Sequence, residues 1–403
     1  MTLTQAPKPL AQSSIHIADQ AIGEGQPVFI IAEVGINHNG CMNRAKRLID
    51  AAVEAGASAV KFQKRNLQSI YQKKLLDDLS SCEQSFQYLM PILKDYELTI
   101  DQMLELKEYC DDAGIIFICT PFDRKSADQL DEIDVPAFKV SSADLTNFYL
   151  LDYLASLHKP LIVSTGMSID IEIEKTFQFL QARSVDFALL HSVSSYPVDP
   201  RDANLGRITQ LLRRYDVPIG YSSHDVGTIL SVIATSLGST IIEKHITLDK
   251  SLRGPEHKVS LLPDEFNHLV ESIRETELAS LKVNDYILQG ELLNKMVFRK
   301  SVVAARPIKK GQRITEEMLT VKSPGTGLSG QQFYELIGAT AKHDFEIDDL
   351  FHDSDLCDTQ DGADLAIPDW GKWGFVVRYH DLETVLPHNP EILEFHFTYN
   401  DTL

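Results

Sequence analysis

The sequence predicts an α/β protein whose larger part is a (β/α)8 TIM barrel, and three observations carry that expectation. Short apolar, β-branched runs recur eight times at fairly even intervals, helical patterns fill the gaps, and each run ends in polar or charged residues. Nearly continuous apolar strands that alternate with helices belong to a parallel sheet covered on its faces. Eight such units match a closed barrel. An open doubly wound sheet is the alternative, because strand count alone does not require closure.

The runs are 28–35 (VFIIAEVG), 59–63 (AVKFQ), 115–122 (IIFICTPF), 137–142 (AFKVSS), 161–166 (LIVSTG), 187–193 (FALLHSV), 218–224 (PIGYSSH) and 241–247 (IIEKHIT). Between the first two, Ala45, Leu48, Ile49, Ala52 and Val53 keep helical spacing, and Gly56 stands where a C-terminal glycine ends a helix. Residues 99–113 begin at a capping Thr or Asp and stop at Gly114. The stretch 66–98 is the longest gap; its polarity, Tyr71, Ser80-Ser81 and Pro91 predict an elaborated loop over one end of the barrel. The barrel is assigned to 1–280, a connector to 281–297, and a small domain of short strands and turns to 298–356. Residues 357–403 read as a linker followed by the start of a further, incomplete βαβ domain, since one such unit leaves both sheet edges open.

The 403 residues are 43% hydrophobic and 24% charged, enough for a sizeable core. A net charge of −20 repels nucleic acid and anionic membrane, so neither is an expected partner. An anionic substrate would need a local cluster of cations. The first 27 residues lack an apolar signal region, and no apolar run is long enough to span a bilayer. Five cysteines, odd in number and without CxxC spacing, read as free thiols of a cytoplasmic protein.

The polar strand ends are Glu33, Lys61 with Gln63, Thr120, Lys139 with Ser141 and Ser142, Ser164 with Thr165, His191 to Ser195, Ser222 to His224, and Glu243 to His245. Carboxyl-terminal strand ends converge on the active-site face of a barrel. Simple contact with solvent explains one or two such residues, but it explains Lys61, Lys139 and Lys244 poorly, because Lys is depleted in strands. His224 and His245 end successive strands about 5 Å apart, near enough for both imidazoles to reach one ion. Two His completed by water or carboxylate suit Mn2+, Zn2+ or Fe2+. Lys61 and Lys139, with Thr120, Ser142 and Ser222, form a receptacle for a small phosphorylated or carboxylated anion; the plain alternative is two solvated surface lysines. There is no P-loop and no strand-following GxGxxG to support nucleotide binding.

The segments IAEVGINHNG (31–40), VKFQ (60–63), TPFD (120–123), FKVSSADLTN (138–147), PLIVSTGMS (160–168), SSYPV (194–198), IGYSSHDVG (219–227), EKHITLDKSLRGPEH (243–257) and PIKKGQRITEEML (307–319) resemble the N-acetylneuraminate (sialic acid) synthase family. The family includes legionaminic and pseudaminic acid synthases and spore-coat polysaccharide relatives, and the resemblance runs collinearly from about 15 to 356. It implies a barrel followed by an antifreeze-like (SAF) domain, and a homodimer in which that domain of one chain caps the other's barrel. The implied reaction joins phosphoenolpyruvate to an open-chain acetamido sugar, giving a nonulosonic 2-keto acid and phosphate. By motif, Lys61, Thr120, Lys139, Ser142, Ser194 and Ser222 should hold phosphoenolpyruvate. Glu33, Gln63, Tyr196 and Glu256 should face the sugar, with Glu33, Lys61, Lys139 and Tyr196 catalytic. His224 and His245 should hold a divalent metal, usually Mn2+, with Mg2+ or Co2+ as substitutes.

Three positions depart from the family pattern: Ser194 where Asn is frequent, Glu256 where Asp is frequent, and Ser323 where an arginine binds the sugar's N-acetyl group. The last argues against simple N-acetylmannosamine as acceptor, because Ser lacks the reach and the fork of donors of Arg. The rival expectations are another (β/α)8 metal-dependent aldolase or sugar isomerase, and a non-catalytic sugar-binding protein.

Overall fold

Eight parallel strands close into a barrel, each pairing with the next in chain order and the last with the first. They are β3 (Phe29–Gly35), β4 (Ala59–Lys64), β5 (Ile116–Pro121), β6 (Phe138–Val140), β7 (Leu161–Ser164), β8 (Phe187–Ser192), β9 (Ile219–Ser223) and β10 (Ile241–His245). Before them, β1 (Ile15–Ile17) and β2 (Gln20–Ile22) form an antiparallel hairpin. The computed structural model describes residues 14–280, 286–356, 374–377, 386 and 392–395. The chain divides into two compact units, Met1–Val283 and Asn284–Leu403.

All eight strands coincide with the apolar runs of the sequence, and closure excludes the open sheet. The fourth is shorter than its run. Ser141 Oγ donates to Asp144 Oδ2 at 2.6 Å and the chain turns into the 3-10 segment Ser142–Asp144, so local side-chain bonds win over the ladder. The helix Ile100–Ala113 starts at a capping box between Thr99 and Gln102 and ends at Gly114, whose φ of +75° suits glycine.

Alternation of side chains decides what each strand residue meets. Outward residues such as Ile30, Val60, Phe117, Phe138 and Val163 pack under the helices. Inward residues at the amino-terminal end, among them Phe29, Ile31, Ala59, Ile118, Ile162, Leu190 and Ile241, fill the barrel floor. Ile15, Ile17 and Ile22 of the hairpin join this layer and plug the bottom. Each contributes about 1.5–3 kcal/mol by burial. The hairpin was not anticipated, since its two strands have three residues each and sit in a polar segment.

Residues 66–98 are mostly helical, and this corrects the expected loop. The helices Leu67–Ile70, Lys73–Asp77 and Gln84–Tyr96 gather Met90, Ile92 and Leu93 with Ile36 into a separate small core. That apolar stripe was masked in the sequence by the surrounding polar residues and by Pro91, which lies inside the third helix.

In the second unit, the helix Gln289–Phe298 occupies part of the segment read as a connector. β11 (Ser301–Ala304) pairs antiparallel with β12 (Leu319–Lys322) over a core that includes Val302, Ile308, Leu336, Phe345 and Phe351. Ser323 follows β12; its hydroxyl accepts from Lys300 Nζ at 2.9 Å, while neighbouring Lys322 pairs with Asp348. Further on, β13 (Gly374–Val377) and β14 (Ile392–Phe395) pair in parallel, as a βαβ order requires. The linker expected from 357 and the intervening helix lie outside the described residues.

Candidate active site

The upper, carboxyl-terminal half of the barrel interior is polar because the inward positions there are Glu33, Lys61, Gln63, Thr120, Lys139, Ser164, Ser192, Ser222, Glu243 and His245. Strand register brings them level: Glu33 lies beside Lys61 and His245, Gln63 beside Thr120, and Ser222 beside both Ser192 and Glu243. They surround a cavity of about 440 Å3. All twelve residues singled out from sequence line it, including Ser142, Ser194, Tyr196, His224 and Glu256 from the loops above.

Several strand-end residues do not reach it, and parity is the reason. Lys244 points outward and is wholly buried, donating to Ser223 Oγ at 2.8 Å and to the Asp225 carbonyl at 2.6 Å. Thr165 binds the Leu190 carbonyl, and His191 Nε2 donates to the Ala203 carbonyl. These residues hold loops in place, and Lys244 does not need a shared site to explain it.

At the base, Lys61 Nζ lies 2.8 Å from Glu33 Oε2 and 3.6 Å from Glu243 Oε1, and donates to Thr120 Oγ1. Lys139 Nζ donates to Ser164 Oγ at 2.6 Å and stands 3.9 Å from Glu243 Oε2. Ser222 Oγ donates to Glu243 Oε1. Two lysines therefore share two carboxylates in a buried chamber. Burial opposes ionisation of Glu243, but Lys139 and Lys61 on either side hold it down to about 2. Burial also dominates at Glu33, and Lys61 only partly offsets it; with Glu243 and Glu256 repelling its charge, Glu33 is pushed up to about 7. Lys61 is held above the ordinary range because Glu243 and Glu33 outweigh its burial, whereas burial brings Lys139 down to about 8. Of the two carboxylates, burial leaves Glu33 raised while the flanking lysines leave Glu243 lowered. Glu243 was in view only as a strand end; sharing the inward face with His245, two residues on, is the signal that marks it.

Above this chamber His224 and His245 face each other with ring centroids 5.6 Å apart. His224 Nδ1 donates to the Val193 carbonyl at 2.8 Å, which leaves Nε2 as the lone-pair nitrogen, accepting from the Tyr196 hydroxyl at 3.0 Å. Burial lowers His224 to about 4 and His245 to about 3, so both are neutral at pH 7. The contact of 3.6 Å between His245 Nδ1 and Glu256 Oε2 is thus no ion pair, and both atoms are buried without a hydrogen-bond partner. Neutral imidazoles with a free carboxylate oxygen beside them fit a divalent cation that completes its shell with water or substrate oxygens. Among the described residues no group of three or more His, Cys, Asp or Glu side chains is placed to hold a metal ion.

Two glycines shape the walls. Gly35, at φ +53°, sits where a methyl group would come within 2.6 Å of Glu256 Oε2, 3.0 Å of Gln63 Nε2 and 3.1 Å of Glu33 Oε1. Gly166 lets Ser142 and Ser194 approach: a methyl group there would meet their hydroxyls at 2.6 and 2.7 Å. The mouth is completed by Ile70, Tyr71, Leu89 and Leu93 of the helical insertion and by Arg65, none of which the motifs singled out.

Residues 48–284 match the model of the NeuB family and residues 299–356 that of the SAF domain. Human N-acetylneuraminate-9-phosphate synthase is 36% identical over 81% of this chain and 92% of its own length. The N,N'-diacetyllegionaminic acid synthase of Campylobacter jejuni is 37% identical over 81% and 99%. Among solved structures, the sialic acid synthetase of Leptospira borgpetersenii in complex with citrate superposes with a TM-score of 0.63 at 34% identity, covering 70% of this chain and 95% of that one. A barrel with two histidines above a Lys–Glu chamber, followed by a SAF domain and matched over most of its length by these synthases, makes this chain a member of the NeuB family.

Proposed function

We propose that the protein condenses phosphoenolpyruvate with an open-chain acetamido sugar to give a nonulosonic 2-keto acid and phosphate. The observation that carries this reading is the buried pair Lys61 and Lys139, sharing Glu243 at the floor of a cavity in a chain of net charge −20. Two lysine ammonium groups brought together in an acidic protein give a small, highly charged anion its local partners. Thr120, Ser142, Ser194 and Ser222 add directional donors for its phosphate and carboxylate. Glu33, Gln63, Tyr196 and Glu256 stand toward the sugar.

In this mechanism the enol carbon of phosphoenolpyruvate attacks the sugar's aldehyde carbon and positive charge develops at C2. Water adds there, and phosphate leaves by C–O cleavage of the tetrahedral intermediate. The Glu33 carboxylate steadies the charge at C2 and takes the proton of the entering water. Lys61 and Lys139 balance the charge of the departing phosphate. Tyr196, whose hydroxyl burial holds far above its usual range, stays protonated and orients the aldehyde end of the sugar. His224 and His245 would hold a divalent metal, Mn2+ with Mg2+ or Co2+ as substitutes, which would supply Lewis-acid polarisation of the aldehyde. A cytoplasmic dimer in which SAF domains are exchanged belongs to the same proposal. Among the described residues no helix is long and apolar enough to cross a membrane.

The test is phosphate release from phosphoenolpyruvate over a panel of acetamido sugars. Dependence on both sugar and divalent metal is expected; release without sugar, or an aldol or isomerase reaction without phosphoenolpyruvate, would overturn the reading. In the same assay Lys61→Ala and Lys139→Ala should each weaken phosphoenolpyruvate use by about 1.5–3 kcal/mol in kcat/KM, the value of a charge-assisted contact. Unchanged constants in both variants would contradict the cradle. Gly35→Ala should keep its circular dichroism spectrum but lose about a hundredfold in kcat/KM for the sugar, since its new methyl displaces three groups that face it. N-acetylmannosamine should be a poorer acceptor than other acetamido sugars, because Ser323 supplies no guanidinium.

A further inference from the structure

We propose that Lys244, together with Asp225, is a positioning residue for the two histidines: from the opposite face of the sheet it fixes where His224 stands against His245. The inference rests on the reading in which that pair holds a divalent metal, and deepens it.

The two strands carry their histidines differently. His245 is the last residue of β10, whereas His224 stands one residue past the end of β9. The ladder between them pairs Glu243 with Ser222 and Lys244 with Ser223, and it ends there. Past that point strand register no longer fixes His224 relative to His245. The His224 imidazole is tied to the loop after β8 through the Val193 carbonyl, and the His224 carbonyl accepts from the Val198 N–H at 3.1 Å. Neither bond reaches β10.

Lys244 does make that connection. Side chains alternate along a strand, so Glu243 and His245 face the cavity while Lys244 points to the other side. There its Nζ grips the residues on both sides of His224. It donates to Ser223 Oγ at 2.8 Å and to the Asp225 carbonyl at 2.6 Å, and lies 3.5 Å from Asp225 Oδ1. Ser223 Oγ in turn donates to Asp225 Oδ1, as does the Tyr221 hydroxyl at 3.4 Å. All four residues are buried. Elsewhere the outward strand positions under the helices are apolar, as at Ile30, Val60, Phe117 and Val163. A buried ion pair adds little net stability over apolar side chains of the same volume. Stability alone therefore gives no reason for a lysine and an aspartate here, whereas placement of the histidine between Ser223 and Asp225 does.

The experiment compares wild type with Lys244→Met, with Lys244→Met combined with Asp225→Asn, and with Ile242→Ala. The double variant buries no unpaired charge, which keeps the test open if Lys244→Met alone fails to fold. Ile242→Ala loosens the same outward face of β10 two residues earlier without removing a side-chain hydrogen bond. The readouts are Mn2+ affinity by calorimetry and, in metal-free protein, the imidazole signals of 15N-histidine-labelled enzyme, with those of His224 assigned by their loss in His224→Ala. Both Lys244 variants should lose about tenfold to a hundredfold in Mn2+ affinity, the size of a lost supporting contact, while Ile242→Ala keeps the wild-type value. The His224 signals should move or split in the Lys244 variants and stay in place in Ile242→Ala. Unchanged His224 signals in both Lys244 variants, unchanged Mn2+ affinity in both, or an equal loss of affinity in Ile242→Ala overturns the inference. If wild type binds no Mn2+, the metal reading fails and the signals decide alone: His224 signals that depend on Lys244 support the brace, and unchanged ones end it.

Discussion

Glu33→Gln lowers kcat by about two to four orders of magnitude, the contribution of a positioned acid or base. The amide keeps the shape of the side chain and can still meet Gln63, so folding and binding of both substrates should change little. What it removes is a carboxylate poised near neutrality. Because burial raises Glu33 to about 7, its charged form accumulates only as pH rises through that value. Activity that needs the carboxylate should climb through the same window. Lys139, brought down by burial to about 8, loses its charge as pH rises further, so phosphoenolpyruvate use should decline on the alkaline side. The kcat/KM profile of wild type is therefore a narrow bell, and that of Glu33→Gln retains only its alkaline limb. A variant that keeps the acid limb with near-normal kcat would remove Glu33 from the chemistry.

Joint substitution of His224 and His245 by Ala abolishes turnover and lowers Mn2+ affinity by about a hundredfold or more, at least the loss that follows from disturbing a ligand's supporting partner. Calorimetric titration with Mn2+ reads this directly, without recourse to activity. Both imidazoles are neutral at pH 7 because burial pushes them down, so no proton has to be expelled before a cation binds. Chelation should silence the wild-type enzyme and added Mn2+ should restore it. Equal Mn2+ affinity in the double variant and wild type would show that the metal is held elsewhere.

The secondary structure of the barrel and most of its site follow from local pattern. Eight apolar runs alternating with helices require a parallel sheet covered on both faces, and in a barrel the polar residue that ends each run lies at the carboxyl-terminal end where sites form. The placing of the seven strand residues among the twelve around one cavity reflects this, since register follows once the strands are parallel and level, whereas Ser142, Ser194, Tyr196, His224 and Glu256 reach it from the loops. What the linear order hides is side-chain parity and packing between distant segments. Glu243 and Lys244 are adjacent in sequence, yet one faces the chamber and the other the helices, because consecutive strand residues point in opposite directions. The hairpin Ile15–Ile22 and the helices of 66–98 escape notice for a related reason. Their apolar residues are few and are stabilised by contacts with the barrel floor and with Ile36, not by their own periodicity. The sequence by itself determined eight strands alternating with helices, a separate small domain after them and the residue types at the strand ends, while closure of the sheet was decided by the tertiary structure. Only the tertiary structure decided which of those groups share charge, because ionisation depends on burial and on neighbours brought in from other strands. The raised Glu33 and the lowered Glu243 are properties of the assembled chamber and of no single segment.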